Sequence, residues 1–236
     1  MPVGWNTITV KDSPMRVYIG IPDWKPRCAG LLVAHHGPGV DGFIQDVVHR
    51  LFRQGYAVVA PDFYHRQPGD IADTMARVAM LDDDEIVADM TAAVAYISSL
   101  EECTVGPVGV VGFCMGGRVS YLMAAASDQL GACAVFYGGN IMKAWGVARS
   151  PFERSQDIRC PMIGFFGNDD ANPSPDDVNA IDAELTRLNK WHEFHRYDGA
   201  GHAFQNFLDG SRRYRARPAR ASWGEMLAFF AEHLAI

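Results

Sequence analysis

The sequence predicts a single α/β domain in which a mostly parallel sheet is covered by helices on both faces. Three observations carry that expectation. Short runs rich in Val, Leu, Ile and Ala recur along the chain: "GLLVAHH" (30–36), "YAVVAPD" (56–62), "VGVVGF" (108–113), "ACAVFYGG" (132–139) and "PMIGFFG" (161–167). Strands this apolar are buried on both faces, as in parallel sheets. Segments of helical character separate them, and such alternation of strand and helix implies one layered sheet. Finally, 236 residues, 48% hydrophobic and 21% charged, are enough for one sizeable core.

The elements follow in order. In residues 1–20, "NTITV" and "MRVYIG" flank "KDSP" and read as an antiparallel hairpin on one edge of the sheet. Helices are expected near 43–54, 84–99, 116–126 and 176–189, with a final amphipathic helix near 222–234. Residues 63–83, rich in Asp, Arg and Pro, form the longest irregular connection and a candidate cap over a site. "WHEFHRYD" (191–198) reads as one more strand before the last helix. There is no internal repeat, low-complexity linker or domain boundary, so residues 1–236 are expected to fold as one unit.

Composition narrows the function. A net charge of −7 and a pI near 5.6 argue against a broad nucleic-acid surface. "MPVGWNTITV" lacks the charged start and apolar core of a secretory signal, and no apolar run approaches the roughly 20 residues that span a bilayer. A cytoplasmic protein without membrane attachment is the expectation. Five scattered cysteines without a CxxC pair fit reduced thiols better than disulfides or zinc. His35 and His36 have no third ligand at suitable spacing, so neither metal nor organic cofactor is expected. "SRRYRARPAR" (211–220) holds five arginines and reads as a solvated, salt-bridged loop rather than a phosphate site.

The chemistry is concentrated in "VVGFCMGGR" (110–118). Gly112-Phe113-Cys114-Met115-Gly116 fits the G-x-S-x-G nucleophile elbow with cysteine in place of serine, and it stands where a strand gives way to a helix. The glycines leave room for a strained turn, and the free N–H groups of the following helix favour a thiolate and then an oxyanion. In such folds the order along the chain is nucleophile, acid, histidine. "FFGNDDANPSP" breaks from strand to turn at Asp169 or Asp170, and "YDGAGHAF" does the same at His202. Two other uses of Cys114 are weighed against catalysis. In one, a non-catalytic protein of this kind binds a small ligand. In the other, Cys114 serves as a redox thiol, although no resolving cysteine lies near it in sequence.

With these landmarks the chain resembles the dienelactone hydrolase family, the cysteine-dependent branch of the α/β-hydrolases. The resemblance spans nearly the whole length and rests on "GYAVVAPDFYHRQ" (55–67), "GVVGFCMGG" (109–117), "GNDDANPSP" (167–175), "GAGHAF" (199–204) and the helix at 221–230. It implies an eight-stranded, mostly parallel α/β-hydrolase sheet. It also implies Cys114 as nucleophile, His202 as base and Asp169 as acid, the last because the family's acid lies four residues before the first proline of its loop, here Pro173. The amides of Gly37 and Met115 would form the oxyanion hole, and His36, Phe204 and Asn206 would line the substrate pocket. His36 stands where the dienelactone enzymes carry a glutamate beside the thiol, and Asn206 where they carry a carboxylate-binding arginine. The implied partner is a small ester or lactone that passes through an acyl-thioester. The protein is expected as a monomer or homodimer.

Overall fold

The structure, a computed structural model, describes residues 3–25, 27–103, 106–208 and 212–234. Among them are eight strands: β1 (Val3–Val10), β2 (Ser13–Gly20), β3 (Gly30–Ala34), β4 (Ala57–Pro61), β5 (Val108–Phe113), β6 (Leu130–Phe136), β7 (Met162–Gly167) and β8 (His192–Tyr197). They form one sheet in the order β1-β2-β4-β3-β5-β6-β7-β8. β1 and β2, and β2 and β4, pair antiparallel, and the remaining pairs are parallel. This is the α/β-hydrolase architecture.

Among the described residues six α-helices complete the fold, α1 (Gly42–Arg53), α2 (Thr74–Ala79), α3 (Asp83–Ser98), α4 (Met115–Ala126), α5 (Pro175–Arg187) and α6 (Ala216–His233), with one 3-10 helix at Phe152–Asp157. The apolar faces of α3, α4 and α5 pack on one side of the sheet, through residues such as Met90, Val119 and Ile181. α1 and α6 cover the other side, through Phe43, Val47, Trp223 and Phe230. β3, β4 and β5 are buried along their whole length between the two cores, which explains their unbroken apolar sequence.

Two elements differ from the sequence reading. The cap segment 63–83 contains the short helix α2, which begins at an Asp73 cap that accepts from the Met75 amide. α6 begins at Ala216, six residues before the expected start, so the second half of the arginine-rich stretch is helical. Pro218 sits in its first turn, where a missing N–H costs nothing. Ser211, the first residue of that stretch, lies outside the described residues.

Under the cap, Arg118 of α4 makes a bidentate pair with Asp83 at the start of α3, at 2.5 and 2.9 Å, and both side chains are fully buried. Arg118 also donates to the carbonyls of Asn140 (3.1 Å) and Lys143 (2.6 Å). A buried pair of this kind is stable only because its remaining hydrogen-bonding groups are also satisfied. It ties the loop after β6 to two helices.

Candidate active site

Cys114 lies between the last residue of β5 and the first of α4, with φ 58° and ψ −118°. A side chain in this left-handed region costs of the order of 1–3 kcal/mol, and the surrounding turn must hold it there. The glycines make that possible. A Cβ on Gly112 would lie 1.9 Å from the Gly116 carbonyl oxygen, and one on Gly116 would lie 2.0 Å from that of Ala34. The strand, the elbow and the neighbouring β3 are therefore in backbone contact, and the thiol projects above the carboxyl ends of the strands.

Three groups act on that thiol: the His202 side chain and the backbone amides of Met115 and Gly37. Burial alone would raise its pKa, but the hydrogen bond and charge of His202, with the two amides, outweigh burial and hold it below the ordinary 9.0. Burial would likewise lower His202, but its hydrogen bonds to Asp170 and Cys114 raise it to about 10. The two shifts are opposite in direction, and both favour the charged forms, a thiolate beside an imidazolium.

The carboxylate that holds His202 is Asp170, not Asp169. Asp170 Oδ2 lies 2.9 Å from His202 Nδ1, and its Oδ1 accepts from the Asn172 amide at 2.9 Å. Asp170 is buried, whereas Asp169 is exposed and uses its backbone N–H on the Ala200 carbonyl at 2.9 Å. The turn after β7 points the first aspartate toward solvent and folds the second back under the histidine loop. Spacing to a proline does not specify that geometry.

The Gly37 amide is held in place from behind. In a trans peptide the C=O and N–H point in opposite directions. The His36 carbonyl, on the same peptide unit as the Gly37 N–H, lies 2.7 Å from His35 Nδ1. The Phe63 amide donates to His35 Nε2 at 3.1 Å, so the hydrogen-bond pattern assigns the proton to Nδ1, which donates to His36. Burial keeps this histidine neutral, with its pKa lowered to about 4. Tyr64 donates to the Gly37 carbonyl at 2.6 Å, beneath the Arg77 guanidinium 3.8 Å over its ring. From the sequence His35 was weighed only as a metal ligand, and Tyr64 was not picked out. The one available clue was the neighbourhood of "HHGPG" and "PDFYHRQ", two segments that end adjacent strands.

His36 is turned toward α1, with Nε2 2.8 Å from Asp41 Oδ1. The approach is close but falls outside hydrogen-bond geometry. Asp41 caps α1 by accepting from the Phe43 and Ile44 amides.

The thiol opens into a cavity of about 510 Å³. Thr74, Met75 and Val78 of α2 form one wall and Trp145 another, with His36 and Asn206 also on the lining. Trp145 is fixed by the buried ion pair: its amide donates to Asp83 Oδ2 at 3.0 Å, and its ring lies 3.9 Å beneath the Arg118 guanidinium. Phe204, expected in the pocket, is instead a fully buried core residue packed edge-on against Tyr137 and Tyr197. The loop after the histidine folds this side chain into the core on the α1 and α6 side of the sheet. The cap arginines are engaged elsewhere, Arg66 in a bidentate pair with Asp89 and Arg77 over Tyr64. Arg213 borders the cavity.

A nucleophile elbow at the centre of such a sheet, with a histidine and a buried carboxylate brought to it from later loops, places this chain in the class of α/β-hydrolases. More narrowly, the chain belongs to the dienelactone hydrolase family: the model of that family matches residues 15–234. A Synechocystis sp. protein carrying the carboxymethylenebutenolidase name is 32% identical over 239 residues, which cover 96% of each chain. An Escherichia coli K12 protein with the same name is 32% identical over 204 residues, covering 83% of this chain and 73% of that one. A Klebsiella pneumoniae structure carrying the dienelactone hydrolase name superposes with a TM-score of 0.88 at 28% identity, over 98% of both chains. The protein is a hydrolase of this family.

Proposed function

We propose that this hydrolase cleaves carboxylic esters or lactones through a covalent thioester on Cys114. The observation that carries the reading is the meeting, at the strained turn between β5 and α4, of the Cys114 thiol with His202, itself 2.9 Å from Asp170, and with the amides of Met115 and Gly37. In the first half-reaction the thiolate attacks the carbonyl carbon, and the negative oxygen forms against the N–H groups of Met115 and Gly37. The carbon–oxygen bond then breaks, and the leaving alkoxide takes the proton from the His202 imidazolium. In the second, His202 takes a proton from water as the oxygen attacks the thioester, and the carboxylic acid departs with the thiolate restored. Asp170 keeps the His202 Nε2 directed at these atoms and stabilises the charged ring.

The substrate we propose is a neutral short-chain ester or uncharged lactone. Asn206 has no charge to offer, its Oδ1 is used by the Leu208 amide at 3.0 Å, and Arg66 and Arg77 are committed to Asp89 and Tyr64. The cavity walls from α2 and Trp145 favour an apolar acyl group. The test compares kcat/KM for a dienelactone and a neutral ester in the natural chain, in Asn206→Arg and in Arg213→Gln. The natural chain should favour the neutral ester, and Asn206→Arg should improve the anionic substrate about tenfold, as one charge-assisted hydrogen bond would. A strong natural preference for the dienelactone that disappears in Arg213→Gln would show Arg213 reading a carboxylate and would overturn the neutral-substrate assignment.

A further inference from the structure

On the face of the sheet covered by α1 and α6 lies a second cavity, about 520 Å³, outside the catalytic site. Three arginines border it: Arg50 and Arg53 of α1 and Arg220 of α6. The Arg50 guanidinium is stacked 3.4 Å over the Trp223 indole, so one flat face is covered while its N–H edge is free to donate. None of the three makes a salt bridge or a side-chain hydrogen bond with a described residue. Asp46, one turn before Arg50, is the single acid on the lining, and its Oδ2 is buried without a hydrogen-bond partner.

In a protein of net charge −7, three cations converging on one concavity reverse the local sign. Asp46 offsets one of the three charges, and a bound anion would relieve the repulsion that remains. Trp223, Tyr214 and Phe207 supply aromatic surface beside them, the last two packed edge to face. We propose that this cavity is a binding site for a small organic anion, a carboxylate or a phosphate monoester attached to a flat ring. The arginines take the anionic group and Asp46 takes a hydrogen-bond donor on the ring. Gln205 and Phe207 face this cavity while Ala203 and Asn206 face the catalytic one. An occupant therefore rests against the segment that follows His202.

The site is tested on the full chain by calorimetric titration with phenyl phosphate and benzoate, with phenol as the neutral control and inorganic phosphate as the probe of charge alone. Saturable one-to-one binding of phenyl phosphate or benzoate, with phenol much weaker, is expected; whichever anion binds more tightly identifies the head group. Affinity should fall about tenfold in Arg53→Gln and in Arg220→Gln, two exposed positions whose loss leaves the core intact, and should weaken with added salt. Binding should persist after Cys114 is blocked with iodoacetamide. The proposal is overturned by absence of saturable binding, by an affinity in both arginine variants unchanged from the natural chain, or by loss of binding on blocking Cys114, which would assign it to the catalytic cavity. A dimer in sedimentation that both arginine variants dissociate, without small-anion binding, would overturn it too and give this face to a second copy of the chain.

Discussion

Exchanging Asp170 for asparagine tests the site most sharply, because both oxygens of that carboxylate are in use. Oδ1 accepts from the Asn172 amide and Oδ2 from His202 Nδ1, each at 2.9 Å. An asparagine has one acceptor to give. If its oxygen stays on Asn172, its NH₂ faces His202 and drives the ring proton to Nε2, where it blocks proton abstraction at Cys114. If its oxygen turns to His202, two donors face each other at Asn172, with a penalty of about 1–3 kcal/mol for the unmade bond. In either case the charge that stabilises the imidazolium is gone. Together these should lower kcat by about 10²–10⁴, or roughly 3–5 kcal/mol of barrier at 1.36 kcal/mol per factor of ten. Asp169→Asn keeps its backbone bond to Ala200 and loses only an exposed charge, so kcat should change less than about tenfold. The assay is steady-state hydrolysis of an activated neutral ester, with folding checked by circular dichroism. A larger loss in Asp169→Asn than in Asp170→Asn would refute the assignment.

Iodoacetamide should inactivate the enzyme with one equivalent on Cys114, since burial pushes Cys28, Cys103, Cys133 and Cys160 upward; its pH midpoint should lie below 9.0 and move up in His202→Gln, by kinetics and peptide mass. His35 binds its proton only below about 4 when folded against 6.5 ordinarily, so the unfolded chain holds more protons between those values and stability should fall as pH drops through that window. The loss is on the order of 3 kcal/mol in urea titrations, and His35→Gln should flatten it. Phe204→Ala should cost about 3–5 kcal/mol of stability without changing the ranking of ester substrates, measured by denaturation and kcat/KM. His36→Ala should leave the alkylation pH profile of Cys114 in place, because that imidazole faces Asp41; a shifted midpoint would mean it acts on the thiol.

What the sequence disclosed follows from which physical constraints are local. Unbroken apolar runs mark β3, β4 and β5 because both faces of those strands are buried, and the elbow is legible because its glycines answer to backbone contacts within one turn. The choice between Asp169 and Asp170 was not legible. It depends on how the turn after β7 meets the loop of His202, 32 residues later. Phe204 was misplaced for a similar reason: adjacency to the histidine in sequence says nothing about which side of the loop faces the sheet. α2 was hidden because a six-residue helix without a buried residue has no apolar period to read.

The chemistry and the shape of the pocket rest on separate devices, and only the first has a short motif. Cys114, His202 and Asp170 meet above the strand ends, and the peptide between His36 and Gly37 is braced by His35. The Trp145 wall of the cavity instead depends on the buried Asp83–Arg118 pair, which grips the Trp145 amide and ring from two helices. Arg118 lies one helical turn past the nucleophile, so the same helix that presents the thiol also fixes the wall facing it. Exchanges at Met75 and Val78, on a helix that buries no side chain, can therefore alter the size of the accepted acyl group without disturbing the elbow. Exchanges at Asp83 or Arg118 cannot, because removing either partner strands a charge in the core directly beneath α4.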